Sequence, residues 1–367
     1  MEQHEIESLT DTELLNMIDQ LTFLANAFNT GNLGKKVILN SLYGYITASY
    51  STLANSNLGA AITSYGRYNI KRMSDHIVEH VGPDNAEITL QDTDSFHLSL
   101  SNVPKELKEP KERTKWIYDF TTENISPEIT SYSKEISRTF NGRGMLKMDF
   151  EAIATSEIVV AKKRYACALW YDDRFLDKMK KKVVGLEIKR SSTPKDIKHA
   201  MDDVLDIIFT GDHFEALEYM KDFRKSFDKR KLVDIAINTS ISDISKYYSI
   251  RGEDLIEKWI PKGATQTAKG VHLHNCLLEN VEGFDIYDYI NSGDKVKIVF
   301  LKRPIYPDAL YKVFAFKDPS IIKTAGLNEM IDYDVLFDKG FKTPMLSIFE
   351  AIDWEFDAQK VKVKGIL

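Results

Sequence analysis

The spacing of apolar residues changes along this chain, and the change restricts the folds open to it. Leu14, Met17, Ile18, Leu21, Leu24, Ala25 and Phe28 recur at helical spacing behind Thr10-Asp11-Thr12-Glu13, which reads as a capping box. Asn29-Thr30-Gly31-Asn32 and Gly34 are expected to weaken or kink this first helix, with a second helical stretch opening near Lys35. Helical spacing resumes through residues 58 to 80 and stops in the loop Val81-Gly82-Pro83-Asp84-Asn85. Alternation takes over there: Ile88, Leu90, Phe96, Leu98 and Leu100 are predicted to share one face of a strand pair folded at Asp92-Thr93-Asp94.

Residues 145 to 190 read as further strands around Ile158-Val159-Val160 and Val183-Val184-Gly185-Leu186. From Ser191-Ser192-Thr193-Pro194 the pattern is helical again, a candidate domain boundary, with a β-rich patch at Lys295 to Leu301. No β-α-β alternation and no Gly-rich phosphate fingerprint occur, so the expected class is α+β with an antiparallel sheet. A chain of 367 residues suits two or three domains.

Composition narrows function only by exclusion. No apolar run approaches the roughly 18 residues of a membrane span, and MEQHEIESLTDTELL has neither the basic nor the apolar region of a signal peptide, so a cytoplasmic location is expected. Cys167 and Cys276 stand far apart with no Cys-x-x-Cys partner, and both are expected to be buried thiols. The formal net charge of −6 is the wrong sign for a phosphate-binding surface. Locally the sign reverses: residues 147 to 199 carry thirteen Lys and Arg against eight Asp and Glu.

Two local constellations carry chemistry. In KKVILNSLYGYI at 35 to 46, a helix places Lys36, Asn40 and Tyr43 at i, i+4 and i+7. An ammonium, an amide and a phenol in one row suit a triphosphate, a sugar and a base edge, whereas each residue alone reads as an ordinary surface charge or core aromatic. The second constellation is Asp92-Thr93-Asp94-Ser95 at the tip of an apolar-flanked turn. Two carboxylates so close repel unless a cation joins them, and magnesium prefers hard oxygens that it shares with phosphates.

Lys36 to Gly44 as K-x-x-x-N-S-x-Y-G, then D-T-D-S at Asp92 to Ser95, then K-K-R-Y at Lys162 to Tyr165, resembles the ordered motif series of family B DNA polymerases. MDFEAIA at Met148 to Ala154 and GLEIKRSSTPK at Gly185 to Lys195 resemble the replicative branch found in T-even-type bacteriophages, and the likeness runs from about Ile6 to about Asp357. The resemblance implies fingers helices in 1–50, an antiparallel palm sheet with packed helices in 51–190 and a mainly helical thumb in 191–367. It implies nucleotide binding by Lys36, Asn40 and Tyr43. Asp94 would hold both of two Mg2+ ions, Asp92 would tune their geometry, and Glu151 would lie close to them. Lys162, Lys163, Arg164 and Tyr165 would contact DNA near the primer terminus, with Lys262-Gly263 and Gly270 to His274 near the duplex backbone.

The chain also departs from the family. Leu90-Gln91 stands where relatives have Tyr-Gly, so the turn is expected to be tilted or less permissive. The tail Val361-Lys362-Val363-Lys364-Gly365-Ile366-Leu367 differs from the aromatic, acidic clamp-binding tail of relatives, and Phe349 is expected to be buried rather than a clamp anchor. The motif Asp-x-x-Ser-Leu-Tyr-Pro, which carries the second metal-binding carboxylate, does not occur, and neither does Phe-Asp-Ile-Glu of the exonuclease; Phe284-Asp285-Ile286-Tyr287 is a chance likeness. A naturally split polymerase is therefore expected, whose N-terminal chain brings the exonuclease, the other catalytic Asp, the first fingers helix and a share of both ions. Primer-template DNA and dNTP are the other expected partners, and a sliding clamp is a further candidate. The competing readings are a non-catalytic duplex-binding or processivity subunit and a fragment of a longer chain.

Overall fold

The computed structural model describes residues 10–140, 142–144, 146–244, 264–305 and 311–355. The chain opens with α1 (Asp11–Thr47), α2 (Ser56–Val81) and the hairpin β1 (Ala86–Asp92) and β2 (Ser95–Leu100). Helices α3 (Pro110–Phe120) and α4 (Ser126–Thr139) precede the strands β3 (Ala152–Ala161), β4 (Arg164–Asp172) and β5 (Phe175–Val184). Then come α5 (Lys195–Thr210), α6 (His213–Ser226), α7 (Leu232–Ile235), β6 (Ile237–Ser240) and α8 (Gln266–Asn280). The last elements are β7 (Lys295–Phe300), β8 (Val313–Phe316), α9 (Ser320–Thr324), α10 (Tyr333–Phe337) and α11 (Thr343–Ala351). All strand pairs are antiparallel, in the orders β1-β2, β3-β4-β5 and β6-β7-β8, as the α+β reading requires. Among the described residues no helix is long and apolar enough to cross a membrane.

The chain divides into two compact units, Met1–Ser101 with Pro127–Met148, and Asn102–Ser126 with Asp149–Leu367. In the first, the predicted capping box forms: the Glu13 amide donates to Thr10 Oγ1, and the Thr10 amide donates to Glu13 Oε2 at 2.9 Å. The expected break near residue 30 does not occur, and α1 runs unbroken for 37 residues. Gly31 and Gly34 cost about 1 kcal/mol each relative to Ala, too little to stop a helix whose backbone bonds continue on both sides. No residue of α1 is buried. The interior of this unit comes from Ile70, Met73 and Ile77 of α2, Ala86 and Leu90 of β1, and Ile129, Tyr132 and Ile136 of α4. His76 ties α2 to α4, stacking on Tyr132 with 3.7 Å between ring centroids and meeting Glu128 at 2.6 Å.

The hairpin differs from its expected pattern in one respect. Its register shifts between Ile88 and Leu90, so Leu90 lies opposite His97 and Gln91 opposite Phe96. One extra residue on β1 removes Leu90 from the face of Phe96, Leu98 and Leu100, because cross-strand partners share a face and strand faces alternate.

In the second unit β4 is the central strand, and Tyr165, Ala166, Cys167, Ala168 and Leu169 are all buried. The rest of its core joins α5, α6, α8, α10, α11 and the β6-β7-β8 sheet through Phe223, Phe227, Phe314, Phe316, Phe341 and Phe349. Phe349 is therefore interior, as expected. Cys167 and Cys276 are buried and free, and burial pushes each thiol up to about 12. The basic run on β5 is partly neutralised within the unit. Lys181 reaches Asp202 and Asp206 at 3.0 and 2.7 Å, and Lys180 pairs with Asp172.

His272 and His274 of α8 are 3% and 2% exposed. Burial pushes both below the ordinary 6.5; for His274 it outweighs the carbonyls of Asp288 and Ala315, each 3.0 Å from a ring nitrogen, which favour the cation. Below pH 6.5 the unfolded chain thus binds protons that the folded chain refuses, and stability falls as pH drops towards the lowered folded values. The expected loss is at most about 1.4 kcal/mol per pH unit for each histidine. Urea midpoints at pH 7.5 and 5.5 check this; a flat profile would contradict it.

Candidate functional site

Lys36, Asn40 and Tyr43 lie on α1 at the predicted spacing, and all three are solvent-exposed. The helix that carries them is fastened at its C-terminal end. Tyr45 Oη and Thr52 Oγ1 lie 3.2 Å apart, the Asn55 amide donates to the Ile46 carbonyl at 2.8 Å, and the Asn55 side chain caps α2 at the Leu58 amide. Gly59 permits the close crossing, since a Cβ there would sit 2.5 Å from Thr47 Cγ2. The row is thus presented on a long exposed helix whose base is fixed to α2.

The acidic tip is a two-residue loop between the paired residues Asp92 and Ser95. Thr93 has φ of 59°, a left-handed value that costs a β-branched residue free energy, on the order of 1–3 kcal/mol. The loop is bonded to itself. The Asp94 amide donates to the Asp92 carbonyl at 2.7 Å, Ser95 Oγ donates to the same carbonyl at 3.2 Å, and Thr93 Oγ1 donates to Asp92 Oδ1 at 3.1 Å. Behind the tip, Gln91 Nε2 donates to Ser74 Oγ of α2 at 2.6 Å. Asp92 is half-buried and Asp94 exposed, and among the described residues no Lys, Arg or His forms an ion pair with Asp94. Two hard-oxygen donors, one of them open to solvent and free of a cationic partner, fit Mg2+ and leave coordination positions for phosphate and water.

The second unit holds the other predicted residues. Glu151 is exposed just before β3, and its carbonyl accepts from the Asp173 amide at 3.3 Å. Lys162 and Lys163 form the exposed two-residue turn between β3 and β4, where Ala161 pairs with Arg164. Lys163 has φ of 60° and Gly185 φ of 66°, and a Cβ on Gly185 would clash with the Lys163 carbonyl oxygen. Arg164 and Tyr165 are placed differently from the lysines beside them. Arg164 Nη2 reaches Glu187 Oε1 and Oε2 at 3.1 and 2.8 Å, with Arg190 at 3.5 Å from the same carboxylate, and Tyr165 is 5% exposed.

Gly270 to His274 are all buried within α8, away from any solvent-facing surface. Lys262 and Gly263 lie outside the described residues, as do Val361 to Leu367.

Sequence reasoning placed Gln91 at the acidic turn but not its bond to Ser74, and it missed Gly185 and Glu187 as parts of the lysine turn. Gly185 alone left a local signal, a glycine directly after an apolar strand. Ser74 and Glu187 act on residues 17 and 23 positions away, where spacing carries no information.

The model of the family described as DNA polymerase family B matches residues 19–351. The chain is similar to the DNA-directed DNA polymerase of Enterobacteria phage T4, with 24% identity over 378 residues, covering 96% of this chain and 40% of the phage protein. It is similar to the DNA-directed DNA polymerase of Escherichia phage RB69, with 26% identity over 379 residues and coverage of 97% and 40%. The DNA polymerase delta catalytic subunit of Glycine max is 27% identical over 333 residues, 87% of this chain and 26% of that protein. The chain therefore spans about two fifths of the length of the phage relatives it matches.

Proposed function

The chain belongs to DNA polymerase family B, and on that premise we propose that it is the C-terminal subunit of a template-directed DNA polymerase. Its residues would contribute fingers in 1–50, palm in 51–190 and thumb in 191–367. The reading rests above all on the Asp92–Asp94 tip, a strained, self-bonded turn whose Asp94 carboxylate is open to solvent and has no cationic partner among the described residues.

The roles follow from the chemistry of each side chain. Lys36 neutralises the phosphates of the incoming dNTP, and Asn40 and Tyr43 orient its sugar and base. Asp94 and Asp92 hold the metals, with Glu151 as a further carboxylate for them, and Lys162 and Lys163 grip the primer-template, aided by Lys262. Arg164 acts through Glu187, fixing the shape of the Lys162–Lys163 turn. Tyr165 supports that turn from the interior. The 3′-oxygen of the primer attacks the α-phosphorus and displaces pyrophosphate. Two bound magnesium ions supply acidification of the 3′-hydroxyl and stabilisation of the leaving pyrophosphate.

The second metal-binding carboxylate and the 3′-5′ exonuclease are furnished by a separate N-terminal chain in this proposal. It is supported by the absence of Asp-x-x-Ser-Leu-Tyr-Pro and Phe-Asp-Ile-Glu from all 367 residues. Both ions are shared with that partner. A sliding clamp would join through contacts other than Phe349, which is buried. Purified alone, the chain is expected to extend a primer negligibly, and mixed with the complementary chain to extend it on template instruction. Robust extension by this chain alone would defeat the shared-site account.

A further inference from the structure

We propose that Gln91, acting through Ser74, is a positioning residue that sets the aim of the Asp92–Asp94 tip, an inference that rests on the metal-binding reading of that tip. The loop from Asp92 to Ser95 is closed by three bonds of its own, two to the Asp92 carbonyl and one to Asp92 Oδ1. Bonded in this way the loop moves largely as a body, so the backbone where it joins β1 bears on the direction of its carboxylates. Gln91 is that junction.

The β-ladder alone holds the junction weakly. The register shift between Ile88 and Leu90 lies immediately behind it, and a bulge twists the strand and lets it bend. Beyond the bulge, Leu90 is anchored in the interior, and the Gln91 amide reaches back to α2. The acceptor there is well fixed. Ser74 is fully buried between Met73 and Ile77, and its hydroxyl proton is committed to the Lys71 carbonyl at 2.9 Å. The hydroxyl oxygen can therefore only accept from Gln91, which gives the bond one direction and one geometry.

The test uses the full chain with Ser74→Ala, Gln91→Leu and the double variant, and two readouts. Mn2+ binding is followed by electron paramagnetic resonance, and amide hydrogen exchange across 90–96 is followed without metal. Each single variant is expected to weaken Mn2+ binding roughly fivefold and to speed exchange of the Asp94 amide by a similar factor, and the double variant is expected to lose no more than either single one. Gln91 is an exposed position, so a loss in Gln91→Leu with unchanged circular dichroism is not unfolding. Parental Mn2+ affinity in both single variants overturns the proposal, and so do losses that multiply to roughly twenty-five-fold in the double variant. Asp94→Ala separates the two levels. If it weakens Mn2+ binding and Gln91→Leu does not, the positioning role alone fails; if Asp94→Ala binds Mn2+ like the parent, the metal-binding reading fails and the positioning role with it.

Discussion

Asp94→Ala in the complex with the complementary chain is expected to slow primer extension by roughly a thousandfold or more, about 4 kcal/mol of activation free energy, with primer-template affinity changed by less than about twofold. The split between rate and affinity follows from placement. Asp94 is an exposed carboxylate at a loop tip, so its removal leaves no cavity and no orphaned donor in the interior. The DNA-gripping cations of the proposal, Lys162 and Lys163, lie on a different turn in the other unit. Only metal-dependent chemistry should suffer. Single-turnover extension alongside fluorescence anisotropy of labelled primer-template measures both quantities. Unchanged synthesis would favour a duplex-binding subunit that retains the polymerase framework without its chemistry.

Gly185→Ala is expected to destabilise the chain by about 3 kcal/mol or more, whereas Gly326→Ala should cost only about 1 kcal/mol. Both glycines have left-handed backbones, φ of 66° and 64°. The shared conformational cost to alanine is about 1–2 kcal/mol. The difference is the surroundings. Nothing lies within 4 Å of a Cβ on Gly326, whereas one on Gly185 overlaps the Lys163 carbonyl oxygen and comes within 3.3 Å of Arg164 Cγ. The main chain of the β3–β4 turn cannot yield without pulling Arg164 from Glu187 and moving Lys162 and Lys163. Urea denaturation of the full chain compares the two, and equal losses would show that conformation alone matters at Gly185. A Gly185→Ala chain that still folds should also bind primer-template more weakly, because the lysine turn has moved.

Local regularity explains what could be read without coordinates. The capping box at Thr10, helical spacing over residues 58 to 80, alternation around Ile88 and Leu98 and the turn at Asp92–Asp94 all depend on neighbours within a few positions. The row Lys36, Asn40 and Tyr43 was legible for the same reason, since a helix fixes the face of every residue in it. Gly31 and Gly34 misled because a propensity cost of about 1 kcal/mol is a tendency, not a stop. Composition likewise gave the buried thiols and the local reversal of charge. That Arg164 is paired with Glu187 and that Tyr165 and His274 are interior was not legible, because each is polar by type.

The sequence by itself determined the period of each segment, the class of fold and the residue types gathered at the acidic turn and on the cationic helix face. Tertiary structure alone decided that β1 gains a residue beside the carboxylates, that Gln91 bonds a serine on α2, and that Glu187 holds Arg164 beneath the lysine turn. The physical reason is range. Backbone period and capping are settled within about one or two turns of chain, whereas burial and side-chain partnership are settled by residues that meet only after the chain has folded.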